Sequence, residues 1–98
     1  MTGPRRKAGL PPRVLTIVNR RGLHARAAGK FAKLAESFDA RILVEKDDMR
    51  VEGTSIMGLL MLSASTGTAI AVSATGPDAP AALDALEALV SGGFEETD

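Results

Sequence analysis

The 98-residue chain contains no cysteine, no tryptophan and no tyrosine, only three phenylalanines and a single histidine. The missing cysteines exclude disulfides, thiolate chemistry and cysteine-ligated zinc, and fit a reducing compartment, with the cytoplasm as the default. Twelve basic against twelve acidic side chains leave no net charge, so there is no global field to draw the chain to nucleic acid or to an anionic membrane. Without Tyr or Trp, most platforms for stacking bases are absent too, which argues against a small nucleic-acid-binding module. Apolar runs are short. The opening segment, basic at Arg5, Arg6 and Lys7, passes into the proline-broken residues 8–12 and is expected to be neither a signal peptide nor a membrane anchor. With one histidine and no evident carboxylate pair, no metal site and no autonomous hydrolase are expected.

What remains is enough for one domain, near the size at which a single core stabilises a fold unaided. Residues 1–12 read as a flexible basic tail, 13–94 as the domain and 95–98 as an acidic, frayed tail. Residues 14–19 alternate, with Leu15 and Ile17 on one side and Val14, Thr16 and Val18 on the other, which predicts a strand. Residues 24–37 switch to helical spacing: Ala27, Ala28, Phe31, Leu34 and Ala35 form a stripe, while Arg26, Lys30 and Lys33 point away. Residues 39–46 read as a second strand, and the turn at Asp47-Asp48 leads to a short third one over 49–52. Ser55 is suited to cap a short helix with Ile56, Leu59 and Leu62. Residues 68–75 form the fourth strand, with Ile70, Val72 and Ala74 inward. Asp78 is expected to cap a last helix with Pro80 in its first turn, a buried stripe of Leu83, Leu86, Leu89 and Val90, and a stop at Gly92-Gly93. The order βαββαβα predicts an α+β fold, an open-faced β-sandwich whose four-stranded antiparallel sheet is covered on one face by three helices.

The histidine falls where the first strand gives way to the first helix. Side chains of this type have an unperturbed pKa of roughly 6.5, so the neutral, nucleophilic imidazole is common at physiological pH. A helix start offers unpaired N–H groups and the positive end of the peptide dipole, both of which favour a phosphoryl group attached to the ring. Gly22 can supply the backbone angles and open approach that such a corner demands. Arg26 could balance negative charge during transfer without bonding covalently.

The run Gly22-Leu23-His24-Ala25-Arg26 resembles the Gly-Leu-His-Ala-Arg-Pro-Ala signature of the HPr family, the histidine phosphocarriers of bacterial phosphoenolpyruvate-dependent phosphotransferase systems. The resemblance covers residues 13 to about 94 and includes Ser55-Ile56-Met57-Gly58 and the pair Gly93-Phe94. It implies that His24 accepts a phosphoryl group on Nδ1 from Enzyme I and passes it to an Enzyme II A domain, with Arg26 in the place of the active-site arginine. Gly22, Ala25 and Ala27 would shape the corner. The chain departs from the signature at Ala27, where the family has proline; alanine is the better helix former, so altered rate or phosphate lifetime is expected rather than loss of function. The protein would be a carrier and not an enzyme, needing no cofactor or metal, and acting as a monomer.

The resemblance also implies that Ser55 can be phosphorylated by an HPr kinase/phosphorylase. A phosphate there is expected to act through its charge, repelling an acidic partner, since a helix N-terminus accommodates it. Ile56, Met57 and Leu60 lie off the stripe of Leu59 and Leu62 and are expected to form an exposed apolar docking patch ringed by basic residues that include Lys30 and Lys33. The branch served is either sugar uptake or, slightly favoured from Ala27 and the basic tail, a nitrogen-related regulatory pathway. The competing reading is a regulatory protein-binding domain without a phosphorelay, switched at Ser55.

Overall fold

The computed structural model describes residues 10–96. Most of the basic tail, including Arg5, Arg6 and Lys7, and the last two residues of the acidic one lie outside the described part. Strand β1 (Arg13–Thr16) leads to helix α1 (Ala25–Glu36), then to β2 (Arg41–Lys46), β3 (Met49–Glu52), helix α2 (Ile56–Met61), β4 (Ala69–Thr75) and helix α3 (Ala79–Ser91). A 3₁₀ turn, Gly93–Glu95, follows. The four strands form one antiparallel sheet in the order β1-β4-β2-β3. Strand alternation turns Leu15, Ile42, Val44, Ile70, Val72 and Ala74 into the core, and the three helices cover that face. On the opposite face Val14, Thr16 and Ala69 are exposed.

Helix α1 packs through small residues. Ala27, Ala28, Ala32 and Ala35 are buried around Phe31, which is fully enclosed. Leu34, expected on the stripe, is only half-buried at its edge, and Ala32 takes the inner position. Strand β1 stops three residues earlier than its β-branched run suggests. Ile17 still exchanges backbone hydrogen bonds with the 67–68 segment, at 2.9 Å to Thr68 O and 2.8 Å from Gly67 N. At Asn19 the chain turns instead, its carbonyl accepting the Gly22 N–H at 3.1 Å and the Thr66 hydroxyl.

Gly22 makes this corner possible. Its φ is +69°, and a Cβ there would lie 2.6 Å from the Ala64 carbonyl oxygen. That close approach lets the Leu23 N–H bond Ala64 O at 2.8 Å, fixing the entry to α1 against the segment after α2.

Two expectations about α3 need correction. Asp78 precedes the helix but makes no side-chain cap. Its carboxylate instead accepts the Asp39 N–H at 2.8 Å while its own N–H donates to Asp39 O at 3.1 Å, so it ties the lead-in of β2 to the start of α3. The C-terminal end is also not frayed at Glu95 and Glu96. After α3 the chain reverses through Gly93, Phe94 and Glu95, all at positive φ (68°, 56° and 64°), and Phe94 is completely buried. The large apolar side chain draws the acidic residues back onto the domain.

Candidate functional site

His24 is the N-cap of α1. Its backbone is extended, its carbonyl accepts the Ala28 N–H at 2.8 Å, and its side chain makes no capping bond. The N–H groups of Ala25, Arg26 and Ala27 therefore meet no acceptor among the described residues and point along the open end of the helix. With the peptide dipole behind them, they form a ready seat for an oxyanion.

The ring itself is oriented by a residue 72 positions away. Nε2 of His24 hydrogen-bonds the Glu96 carboxylate, while Nδ1 has no partner among the described residues. A carboxylate only accepts, so Nε2 must carry the hydrogen, and in the neutral ring the lone pair falls on Nδ1. The His24 side chain keeps 24 % of its surface exposed and that of Glu96 only 11 %. Asn19, the buried polar residue of this region, holds Glu96 in place: its Nδ2 donates to Glu96 Oε1 at 3.0 Å and to the Gly22 carbonyl at 2.8 Å. The Asn19 hydrogen bond, then that of His24, and the nearby charge of Arg21, joined by that of the His24 ring when it is protonated, hold the Glu96 carboxyl below its usual range, against the opposing effect of burial.

Around this centre the basic residues divide. Arg26 is exposed, and none of the ion pairs found among the described residues engages it. Arg21 lines a shallow cleft of about 200 Å³ beside His24, together with Leu23, Ser63, Ala64 and Ser65. Lys30 is not a free rim residue: half-buried, it donates to the Phe94 carbonyl at 2.8 Å and lies 3.5 Å from Glu95, so it fastens the C-terminal turn. Lys33 is exposed. In the first turn of α1 Ala25 is exposed and Ala27 is buried.

Ser55 caps α2 as expected, its Oγ accepting the Gly58 N–H at 2.9 Å. A Cβ on residue 58 would stand 2.9 Å from Val51 Cβ, so glycine lets the helix start approach β3 closely. Ile56 and Met57 are exposed at 45 % and 69 %, and Met61 joins them at 61 %. Leu60 does not. It is half-buried against the core because α2 touches both α1 and β3, so this short helix is covered on more than one side.

Sequence reasoning passed over Asn19, Arg21 and Glu96. An Asn three residues before a glycine carries a turn signal that could have marked Asn19. Nothing local links Glu96 to His24, since the contact depends on how α3 ends. Among the described residues no cluster of three or more His, Cys, Asp or Glu is arranged to hold a metal ion, and no helix is long and apolar enough to cross a membrane.

Three helices on one face of a four-stranded antiparallel sheet, with a partly exposed histidine heading the first helix, define a small α+β domain of the open-faced sandwich class. Comparison with known proteins agrees. The family model described as the PTS HPr component phosphorylation site matches residues 12–92. The chain is 46 % identical over 82 residues to the phosphocarrier protein HPr of Neisseria meningitidis serogroup A, covering 84 % of this chain and 92 % of that protein. It is 48 % identical over 84 residues to the phosphocarrier protein NPr of Shewanella violacea, covering 86 % and 92 %. The crystal structure of HPr from Thermoanaerobacter tengcongensis superposes with a TM-score of 0.86 at 38 % identity, over 91 % of this chain and all of that one. The chain belongs to the HPr family of phosphocarrier proteins of the bacterial phosphotransferase system.

Proposed function

We propose that His24 is the phosphoryl acceptor, taking the group on Nδ1 from phospho-Enzyme I and passing it to an Enzyme II A domain. The observation that carries this reading is the seat of the ring: a partly exposed side chain whose Nδ1 has no partner among the described residues, at a helix start whose three N–H groups are likewise unpaired there. The nucleophile needs no separate base, because the neutral ring already presents its lone pair there. In a transition state with charge spread over the phosphoryl oxygens, the α1 N–H groups and the exposed Arg26 guanidinium supply compensating positive charge. The in-line geometry comes from donor and acceptor proteins, which is why so small a domain suffices.

Ile56, Met57 and Met61 offer both partners an apolar surface on the helical side, with the exposed Arg26 and Lys33 as basic groups to steer them. Phosphorylation of Ser55 would add negative charge beside that surface, a control separate from the relay. Service in the nitrogen-related branch rests on Ala27 and the basic opening segment, since the HPr and NPr relatives are matched at 46 % and 48 % identity alike.

The decisive experiment incubates the protein with phosphoenolpyruvate and Enzyme I and maps the phosphate. Wild type should carry an acid-labile phosphate on His24, and His24→Ala should carry none. Phosphate on the His24→Ala variant would assign the nucleophile elsewhere.

A further inference from the structure

We propose that Glu96 is a positioning residue for phosphoryl transfer: its carboxylate keeps the proton on His24 Nε2 before and after the reaction, reserving Nδ1 for phosphorus and stabilising the phosphorylated ring as its imidazolium. This rests on His24 being the acceptor.

The geometry makes Glu96 a fixture of the site. Its Oε2 faces Nε2 and its Oε1 is held by Asn19, which also grips the Gly22 carbonyl, so one amide links the acid to the corner that sets His24. The segment delivering it is anchored on both sides, by the buried Phe94 and by Lys30 from α1. Phe94 and Glu95 adopt left-handed backbone angles, which are unfavourable for residues with a Cβ. That local strain is tolerated where the chain reverses to bring residue 96 back over α1. The lowered pKa of the Glu96 carboxyl, held down first by the Asn19 hydrogen bond and then by that of His24, agrees with a carboxylate that stays charged at neutral pH.

The chemistry balances with this arrangement. The Nδ1 lone pair forms the new P–N bond, the bond from phosphorus to the donor nitrogen of phospho-Enzyme I breaks, and its electron pair stays on that donor. No proton has to leave His24. The ring retains Nε2–H and gains positive charge, which the Glu96 carboxylate is placed to neutralise. In the onward step the same protonated ring departs as neutral imidazole.

The test uses the full-length protein as wild type, Glu96→Gln and Glu96→Ala, phosphorylated by Enzyme I and phosphoenolpyruvate at one neutral pH. Two quantities are read: the equilibrium partition of phosphate between Enzyme I and the carrier, and the ¹⁵N-coupled Nε2–H proton signal of phospho-His24. Wild type should show a Nε2–H signal protected from exchange. Glu96→Ala should lose it and shift the partition toward Enzyme I by about tenfold, the scale of a hydrogen bond to a charged group. Glu96→Gln, which keeps an acceptor without the charge, should fall between. A merely structural role would change thermal stability while leaving both readouts in place. If both variants match wild type in partition and in the proton signal, the positioning role is overturned while His24 stands as acceptor. Phosphorylation of a His24→Ala variant would instead remove the acceptor reading itself.

Discussion

At position 27 one residue, alanine in place of proline, separates this chain from the signature it resembles. Proline there would lack an N–H, whereas Ala27 contributes a third unpaired donor to the open end of α1. Ala27→Pro should leave the fold intact, because a first-turn position tolerates proline and Ala27 has no hydrogen bond to lose. It should shorten the lifetime of phospho-His24 several-fold, measured by the decay of the isolated phosphoprotein at neutral pH. An unchanged or longer lifetime would show that the third N–H does not reach the phosphoryl oxygens. Individual residues of the site were legible to different depths. His24 and Gly22 announce themselves because a lone histidine and a glycine at a strand-to-helix corner are local signals. Glu96 does not, because its role depends on a chain reversal that only the burial of Phe94 enforces.

Elements were read well wherever the apolar period was long. Helix α1, with twelve residues and an alanine-rich buried stripe, began where the sequence suggested. The β-branched run overextends strand β1, since Val18 fits a strand by propensity, yet the turn hydrogen bonds of Asn19 end the backbone pairing after Ile17. Asp78 misled in the same way: its residue type suits a cap, but the Asp39 N–H competes for its carboxylate. Helix α2 is the element most dependent on its cap. It has six residues, no charged side chain and one bond from Ser55 to the Gly58 N–H. Ser55→Ala should therefore cost about 1 kcal/mol in denaturant unfolding. Ser55→Asp should retain most of that stability, because aspartate caps as well as serine and its charge suits a helix start. The aspartate variant should still bind Enzyme I more slowly, in stopped-flow association at low salt, if negative charge at this position repels an acidic partner. Equal association rates for the two variants would separate Ser55 from the docking surface.

The whole molecule is a thin two-layer structure in which the only large aromatic side chains fully enclosed are Phe31, at the centre of α1, and Phe94, after the last helix. Both fill the core, but they differ in what else depends on them. Truncating either to alanine removes a buried ring and should destabilise the domain by about 3–5 kcal/mol, less where the surroundings can collapse. Phe94 sits in a three-residue turn whereas Phe31 is held within a twelve-residue helix, and a turn can collapse more readily around a lost ring, so Phe94→Ala should be the milder of the two in urea unfolding. Its functional effect should be the larger. Without that anchor, nothing holds the strained left-handed backbone at 94 and 95, the Lys30 bond to the Phe94 carbonyl loses its fixed target, and Glu96 leaves Nε2 of His24. Phosphate partition from Enzyme I should thus fall for Phe94→Ala, measured where both variants remain folded, and stay near wild type for Phe31→Ala. The reverse order, with the partition following stability alone, would mean that the C-terminal turn contributes packing to the domain and nothing to its histidine.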